Sequence, residues 1–484
     1  MNYKNFSAII LIIFILGGCN KYLEEVPDDR VELNNLTKAA QLLTNGYPSA
    51  GYNFTEWMSD NVTFTYGTTL LPEHSEAYEW EEFTGIFQDT PAYYWNSSYE
   101  AIAHANEVLA VIDELPGDEE QRNAVKGEAL LIRAYNHFML VNLFANHYNN
   151  QRANRDLGVP YVEEPERVFI KQYQRNTVKD VYDKIERDML EGIGLINNSY
   201  YANTGKYHFT KNAALALASR FYLFKGDFEN CIKYSSEMLG NSPEVFVKDI
   251  PGLLNERVNT EDYVRLLTSP NYESNILLMR KITNFHVNVG HWPDSDIFDY
   301  LYRDNPFNAT DERGDPAYIR GENGLSATRF EFLFERSSLT SNVGLNYTII
   351  LAFRGEEVLL NRAEAYAVTN QLENALEDIQ TLARKRYTLS SGNIPDFSIE
   401  RIRSFYGVPN DDQLVLRIMI LEERQKEFIH EGLRWFDIKR FGFPVRHVLA
   451  DGVSQKTLAG DDLRKVLQIP KAAIDVGGLE PNRR

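Results

Sequence analysis

Apolar residues recur every three or four positions over long stretches of this chain, the period of an amphipathic helix. Tyr99 to Leu115 carries Ile102, Leu109 and Ile112 on one side and stops at Pro116-Gly117, so a helix is predicted there. A longer run spans Glu119 to Phe144. Asn176 to Ile196 opens on Asn176-Thr177, whose side chains suit an N-cap, and continues with Val181, Ile185, Met189 and Leu190. The same spacing predicts helices over Thr210 to Lys225, Asp227 to Leu239, Arg354 to Val368, Leu372 to Lys385 and Asp411 to His430. In the last of these, Leu414, Ile418, Leu421 and Phe428 fall on one face. Between Asn241 and about Ser341 the pattern breaks. Pro251-Gly252, Ser269-Pro270-Asn271, Trp292-Pro293-Asp294, Asn305-Pro306 and Asp315-Pro316 mark loops and short elements there. The mature chain is expected to comprise a helical region, 31–240, a loop-rich insertion, 241–341, and a region 342–484 that completes the scaffold. The insertion and the tail from about Phe443 are expected to form a second subdomain.

Two of these helical pairs are alike at an offset of 144 residues. Tyr222, Phe228, Glu229, Asn230, Cys231 and Ile232 correspond to Tyr366, Leu372, Glu373, Asn374, Ala375 and Leu376, and Lys225-Gly226-Asp227 to Thr369-Asn370-Gln371. Each unit is a helix, a tight turn and a second helix, with small residues where the two approach. This resembles a tetratricopeptide-type hairpin, and a mainly α fold built on such hairpins with an irregular second subdomain is expected. Cys231 matches Ala375, which points to small apolar packing rather than redox chemistry.

The chain opens with Lys4, an apolar run from Ala8 to Leu16, and Gly17-Gly18 before Cys19. Charge, apolar core and small residues at the cut describe a secretory signal over 1–18. The run is too short to cross a bilayer core of about 30 Å. Leu16-Gly17-Gly18-Cys19 resembles a bacterial lipobox, which implies cleavage before Cys19 and lipid on its sulfur and new amino group. Residues 19–30 are mostly polar, carry Pro27, and read as a flexible tether. No later stretch approaches a membrane span. With 69 acidic against 50 basic residues, a net charge of −19 argues against nucleic acid and against broad adsorption to anionic lipid. The only cysteine besides Cys19 is Cys231, so the mature chain forms no internal disulfide and packing must hold it together.

Glu422, Glu423, Arg424, Glu427, Glu431, Arg434, Asp437, Lys439 and Arg440 form a dense mixed-sign array around Trp435 and Phe436. Short acid–base spacings and aromatics read as an ion-pair network fixing a helix against the next segment, in preference to paired catalytic carboxylates. Glu422-Glu423-Arg424, Glu427, Glu431-Gly432 and Arg434-Trp435-Phe436-Asp437 are similar to the signature of the SusD/RagB family of outer-membrane lipoproteins; Gln425 stands where a second basic residue is common. Other segments follow in family order: Tyr22 to Pro27, Tyr94-Trp95-Asn96 with Tyr99, Ile102 and Ala105-Asn106, Gly127-Glu128-Ala129, Arg133-Ala134-Tyr135, Gly158-Val159-Pro160 and Asn361 to Tyr366. Leu467-Gln468-Ile469-Pro470 and Glu480-Pro481-Asn482 match the family's Pro-Ile-Pro and Asn-Pro-rich tail only in part. The resemblance implies a tetratricopeptide-like domain at the cell surface, lying as a lid over a SusC-type TonB-dependent transporter and capturing glycans or, less often, peptides. It implies no catalysis and no cofactor.

A glycan site needs exposed aromatic faces for sugar rings and polar side chains for hydroxyls. Two stretches supply both. Asp60 to Trp95 holds Tyr66, His74, Tyr78, Trp80 and Tyr93; Asn284 to Asn305 holds His286, His291, Trp292, Asp294, Asp296, Tyr300, Tyr302 and Arg303. The candidates drawn from them are Trp292, Trp80, Tyr78, Tyr66, Tyr302, Asp296 and Arg303, with Trp292, fixed by Pro293, foremost. Trp95, leading into a helix, reads as core, and Trp57 suits either role. No His-Glu-x-x-His, cysteine cluster, Gly-x-Ser-x-Gly, phosphate loop or dinucleotide fingerprint occurs in the sequence. Asp294 and Asp296 suit calcium, but two acids in a turn are usually solvated. The expected function is glycan capture. A peptide-binding member of the same family is the alternative, and a secreted glycoside hydrolase or a purely structural scaffold are more distant ones.

Overall fold

The computed structural model describes residues 33–168, 171–201, 205–327 and 329–484. The expected signal peptide 1–18, Cys19 and the tether 19–30 lie outside them. The main helices are α1 Pro91–Val111, α2 Glu119–Phe144, α3 Val178–Leu195, α4 Lys211–Lys225, α5 Phe228–Leu239, α6 Gly355–Val368, α7 Leu372–Ala383, α8 Asp412–Glu427 and α9 Arg434–Phe441. Thr90, Asp118, Thr177, Thr210, Asp227 and Asp411 each accept a first-turn backbone N–H and so set where α1 to α5 and α8 begin. Helix α1 starts eight residues before the sequence pattern shows it, because Thr90 and Pro91 open it while Asn96, Ser97 and Ser98 interrupt the apolar spacing.

Helix α2 packs between α1 and α3, and every residue from Gly127 to Phe144 is buried. A helix covered all round sits at the centre of a fold, not on its surface. In α3, Val181, Ile185 and Met189 are buried as expected, whereas Leu190 turns outward and is 39% exposed.

The two similar pairs, α4–α5 and α6–α7, are matching helical hairpins. Gly226 (φ 76°) and Asn370 (φ 61°) take the same left-handed conformation at equivalent positions. Asp227 N donates to Tyr222 O at 2.9 Å and Gln371 N to Tyr366 O at 2.8 Å, so the turns close identically. Cys231 is fully buried where α5 meets α6, its Sγ 3.6 Å from Asn361 O; burial pushes the thiol up to about 12, so it packs as a small apolar group. The fold is mainly α and tetratricopeptide-like.

Helix α8 turns its charged side inward, against expectation. Val415, Met419 and Ile420 are buried together with Glu423, Arg424 and Glu427, while Leu414 is 43% exposed. The reason is a network of ion pairs. Arg424 meets Asp437 at 3.1 Å, Arg440 meets Asp437 at 2.6 Å and Glu364 at 2.7 Å, and Arg434 meets Asp60 at 2.8 Å. Deeper in, Glu427 takes both ends of Arg386 (2.8 and 2.9 Å) and one of Arg313, and Glu423 takes Arg313 at 2.9 Å. Burial disfavours the Glu427 carboxylate, but Arg386, Arg313 and Arg354 hold it well below its usual range. Gln425 is buried and donates to Asn61 Oδ1 at 2.8 Å. Glu56 accepts from the backbone of His430 (2.7 Å) and Gly432 (3.1 Å), tying the segment after α8 to residues 54–57. The network expected from the array is therefore present, yet several partners come from distant parts of the chain.

Strands concentrate in and next to residues 241–341. β1 Asn275–Ile282, β4 Glu331–Arg336 and β5 Gly344–Arg354 form an antiparallel sheet in the order β1-β5-β4, and β2 Ala317–Arg320 with β3 Gly324–Ala327 forms a separate hairpin. The tail docks on the end of α2: Asn482 Nδ2 donates to Phe144 O and Leu467 O, both at 2.8 Å, and Asn482 N donates to Gln468 Oε1 at 2.7 Å. Among the described residues no helix is long and apolar enough to cross a membrane.

Candidate ligand-binding cavity

The backbone around Trp292 is fixed from two sides. Thr63 N donates to Trp292 O at 3.0 Å, Trp292 N donates to Thr65 Oγ1 at 2.8 Å, and Leu325 N of β3 donates to Pro293 O at 2.7 Å. The β2–β3 turn is held against the same loop, with Glu322 N donating to Tyr66 O at 2.8 Å. Gly321 in that turn has φ 58°, and a Cβ there would meet Tyr66 O at 2.0 Å. These contacts close one side of a cavity of about 490 Å³. Trp292, His286 and His430 lie on its wall, as do Tyr318 and Arg320 of β2, Phe332 of β4, Arg329, and Glu261 and Arg265 of the helix Thr260–Leu267.

Trp292 is only 2% exposed. Its Nε1 donates to Val289 O at 3.0 Å, its ring packs on Phe285 and edge-on to His430, and the Arg320 guanidinium lies 4.9 Å above it. Tyr318 and Phe332 are open, 41% and 44% exposed. The polar atoms are less well served. Arg320 Nε donates to Ser326 Oγ at 3.0 Å. Arg329, 7% exposed, reaches Tyr302 Oη and Lys426 O only at 3.4 Å, and its Nε has no partner. His286 Nε2 and His430 Nδ1 are also unpaired. Burial, then the Arg320 charge, lowers His286 to about 3. Burial, then Arg329 and Arg320, lowers His430 as well, and its Nε2 accepts from Ala327 N at 3.2 Å. Both imidazoles are neutral at pH 7, and the positive charge in the cavity is arginine alone.

The other expected site residues are dispersed. Trp80 and Tyr78 are buried, with His447 stacked flat between them at 4.5 and 4.1 Å. Trp80 Nε1 donates to Met58 O and Tyr78 Oη to Val448 O, so the protein itself takes up both ring faces and polar atoms. Tyr302 is buried behind Arg329, its Oη donating to Lys426 O at 3.1 Å. Tyr66 is 38% exposed beside the β2–β3 turn, its Oη donating to Ala450 O at 3.0 Å. Asp296 lies exposed on the helix Ser295–Tyr302 and Arg303 exposed at its C-terminal end; Arg303 pairs with Asp299 and borders a different cleft, of about 560 Å³. Asp294 caps that helix through Ile297 N, and among the described residues no group of three His, Cys, Asp or Glu side chains is placed for a metal. Trp95 is 6% exposed in α1 and Trp57 fully buried, both core. Of the seven candidates only Trp292 reaches the cavity. Arg320, Arg329, Tyr318 and Phe332 carried no sequence signal, since only the folding of the β2–β3 hairpin and of β4 brings them to the same cavity as Trp292.

A tetratricopeptide-like helical scaffold with a cavity built on irregular segments and a β-hairpin is the class this architecture defines. The profile of a family described as "Starch-binding associating with outer membrane" matches residues 21–223, and that of the SusD family matches residues 320–472. Two SusD-like proteins of Formosa agariphila are each 22% identical, one over 90% of this chain and 92% of its own length, the other over 72% and 71%. Among solved structures, a putative sugar binding protein from Bacteroides vulgatus aligns with a TM-score of 0.70 at 20% identity, covering 94% of this chain and 99% of that one. A SusD superfamily protein from Bacteroides thetaiotaomicron aligns at 0.67 and 21% identity over 93% and 100%. A laminarin binding SusD-like protein aligns at 0.57 and 19% identity over 92% and 98%. The chain belongs to the SusD/RagB family.

Proposed function

We propose that this protein is a lipid-anchored surface protein of the outer membrane that captures glycans in the Trp292 cavity and passes them to a SusC-type TonB-dependent transporter. The observation that carries the reading is the cavity itself: about 490 Å³, with open rings of Tyr318 and Phe332 beside arginine donors. Its volume lies in the usual range for small-ligand sites, and flat apolar rings next to fixed donors suit a sugar's two kinds of surface. The family's description as starch-binding and the laminarin binding neighbour support the same chemistry. Transporter partnering and the surface location come from the family and from the Leu16-Gly17-Gly18-Cys19 motif. Catalysis has no part in this reading.

One observation favours a peptide ligand. β4 is an edge strand of its sheet, and Glu331 and Phe332 of that strand border the cavity, so an extended peptide has backbone groups to pair with. A binding screen of the full chain in mild detergent against polysaccharides and oligopeptides decides between them. Glycan binding is expected, with Tyr318→Ala and Phe332→Ala each weakening it about tenfold, roughly one lost stacking contact. Peptide binding lost on changes along β4 would replace the glycan reading. Hydrolysis of a bound polysaccharide, abolished by Glu261→Gln or Glu331→Gln, would overturn the binding-only role.

A further inference from the structure

Nine arginines are buried among the described residues, and eight of them meet a carboxylate. Arg133 pairs with Asp188, Arg220 with Glu357, Arg313 with Asp311, Arg354 with Glu431, Arg362 with Asp378, Arg386 with Glu427, Arg424 with Asp437 and Arg434 with Asp60, all within 3.1 Å. Arg329 is the exception. No carboxylate of the described residues lies within 4.0 Å of it, its two hydrogen bonds are long, and its Nε is unpaired. An arginine cannot shed its proton to escape burial; Glu427 and Glu431 act on the Arg329 charge only from beyond ion-pair distance, so its guanidinium has donors left for an anion. In a chain of net charge −19 that pairs every other buried arginine, the vacancy falls in the cavity.

Arg320 repeats the arrangement at the same wall. It is mostly buried, bonds only Ser326 Oγ, lies over the rings of Trp292 and Tyr318, and has no carboxylate within ion-pair distance among the described residues. Arg265, also on the wall, likewise has no acidic partner among them. The carboxylates that line the cavity, those of Glu261 and Glu331, pair with none of the three arginines; Arg265 Nε meets only the Glu261 backbone O at 3.5 Å, and Glu331 Oε2 accepts from Thr268 Oγ1 at 3.5 Å. His286, with Nε2 unpaired, adds a neutral polar group to the same surface.

We infer that the ligand is an acidic glycan, a saccharide bearing a carboxylate or a sulfate ester, and that Arg329 and Arg320 hold this anion while Tyr318 and Phe332 stack on its sugar rings. The inference rests on the glycan reading above and narrows it to a charge class. A guanidinium fork presents parallel N–H donors to either oxyanion, so carboxylate and sulfate share the recognition chemistry. Stacking beside the anion separates such a sugar from free inorganic anion, which would gain nothing from the rings.

The test is a glycan array of matched pairs: uronic-acid oligosaccharides and sulfated oligosaccharides, each beside the neutral oligosaccharide of the same linkage, probed with the full chain in mild detergent. The strongest signal is expected from an acidic member, at least tenfold above its neutral partner. The uronate and sulfate arms tell which anion is read. Arg329→Met and Arg320→Met should each weaken that binding at least tenfold and weaken the neutral members less, so that the acidic-over-neutral preference falls. Thermal unfolding of both variants checks the fold, and Arg320→Lys, which keeps the charge but not the fork, should fall between. A neutral oligosaccharide bound best, with both arginine variants unchanged, overturns the anion inference and leaves the glycan reading standing. No saccharide bound, with an oligopeptide bound in the screen above, overturns both.

Discussion

Asp437 shows how individual side chains of the signature segment act. Burial alone would raise its carboxyl, yet Arg424 and Arg440 hold it down to about 2. A carboxyl whose folded pKa lies below its unfolded value of about 3.9 stabilises the fold above that value and loses the contribution as pH falls through the folded one. The contribution is about 2 kcal/mol at neutral pH. The difference in urea stability between the parent protein and Asp437→Asn is therefore expected to shrink by about half between pH 7 and pH 3; a difference independent of pH would mean the ion pairs do not act this way. Glu427→Gln removes the charge that faces Arg386 and Arg313, and a loss of about 3–5 kcal/mol is expected in the same measurement. The array's sign pattern was legible in the sequence. The identity of its partners was not, because Asp60, Arg313, Arg354 and Arg386 lie far from it along the chain.

Among the structural elements, the paired hairpins repeat not only a pattern but a backbone conformation. Gly226 meets the left-handed turn without strain, while Asn370 tolerates it through its short polar side chain. Gly226→Ala is expected to lower stability by about 1 kcal/mol and Asn370→Gly to raise it slightly, read as shifts in thermal unfolding. A neutral Gly226→Ala, or an Asn370→Gly that lowers stability, would show that the turns are not equivalent. The helix limits were readable where an Asp or Thr cap precedes an apolar run, as at Asp118 and Thr210. They failed at α1, where serines and an asparagine occupy the first turns; on α8 the start at Asp411 was readable but the buried face, which is charged, was not. Periodicity measures apolar burial and is blind to a helix buried through ion pairs.

For the molecule as a whole, the proposed function assigns lipid to Cys19 and ligand to the cavity as separate roles. Cys19→Ala is expected to leave affinity for glycan unchanged in solution, to move the protein out of the membrane fraction and to slow growth on its glycan. Unimpaired growth would count against a role for the anchor in uptake. The −19 charge of the chain sharpens the inference: a body this acidic repels anions at long range, so an anionic ligand needs a local cluster such as Arg320, Arg329 and Arg265 on the cavity wall.

Local sequence was enough for the mainly α class, the hairpin turns at Gly226 and Asn370, most helix starts and the family signature, since each depends on residues within a few positions of one another. Trp292 stood out because Pro293 and its histidine neighbour mark a fixed loop. The cavity around it depended on tertiary structure. The turn at Gly321 sets β2 against the Tyr66 loop, β3 docks on Pro293, and only then do Arg320, Tyr318 and Arg329 line one cavity with Trp292. Trp80, Tyr78 and Tyr302 look equally suited to a sugar in sequence, and they are buried because His447, Met58, Val448 and Lys426 happen to close over them. An aromatic ring carries the same chemistry in a core as in a binding site; which of the two it serves is set by what the rest of the chain packs against it.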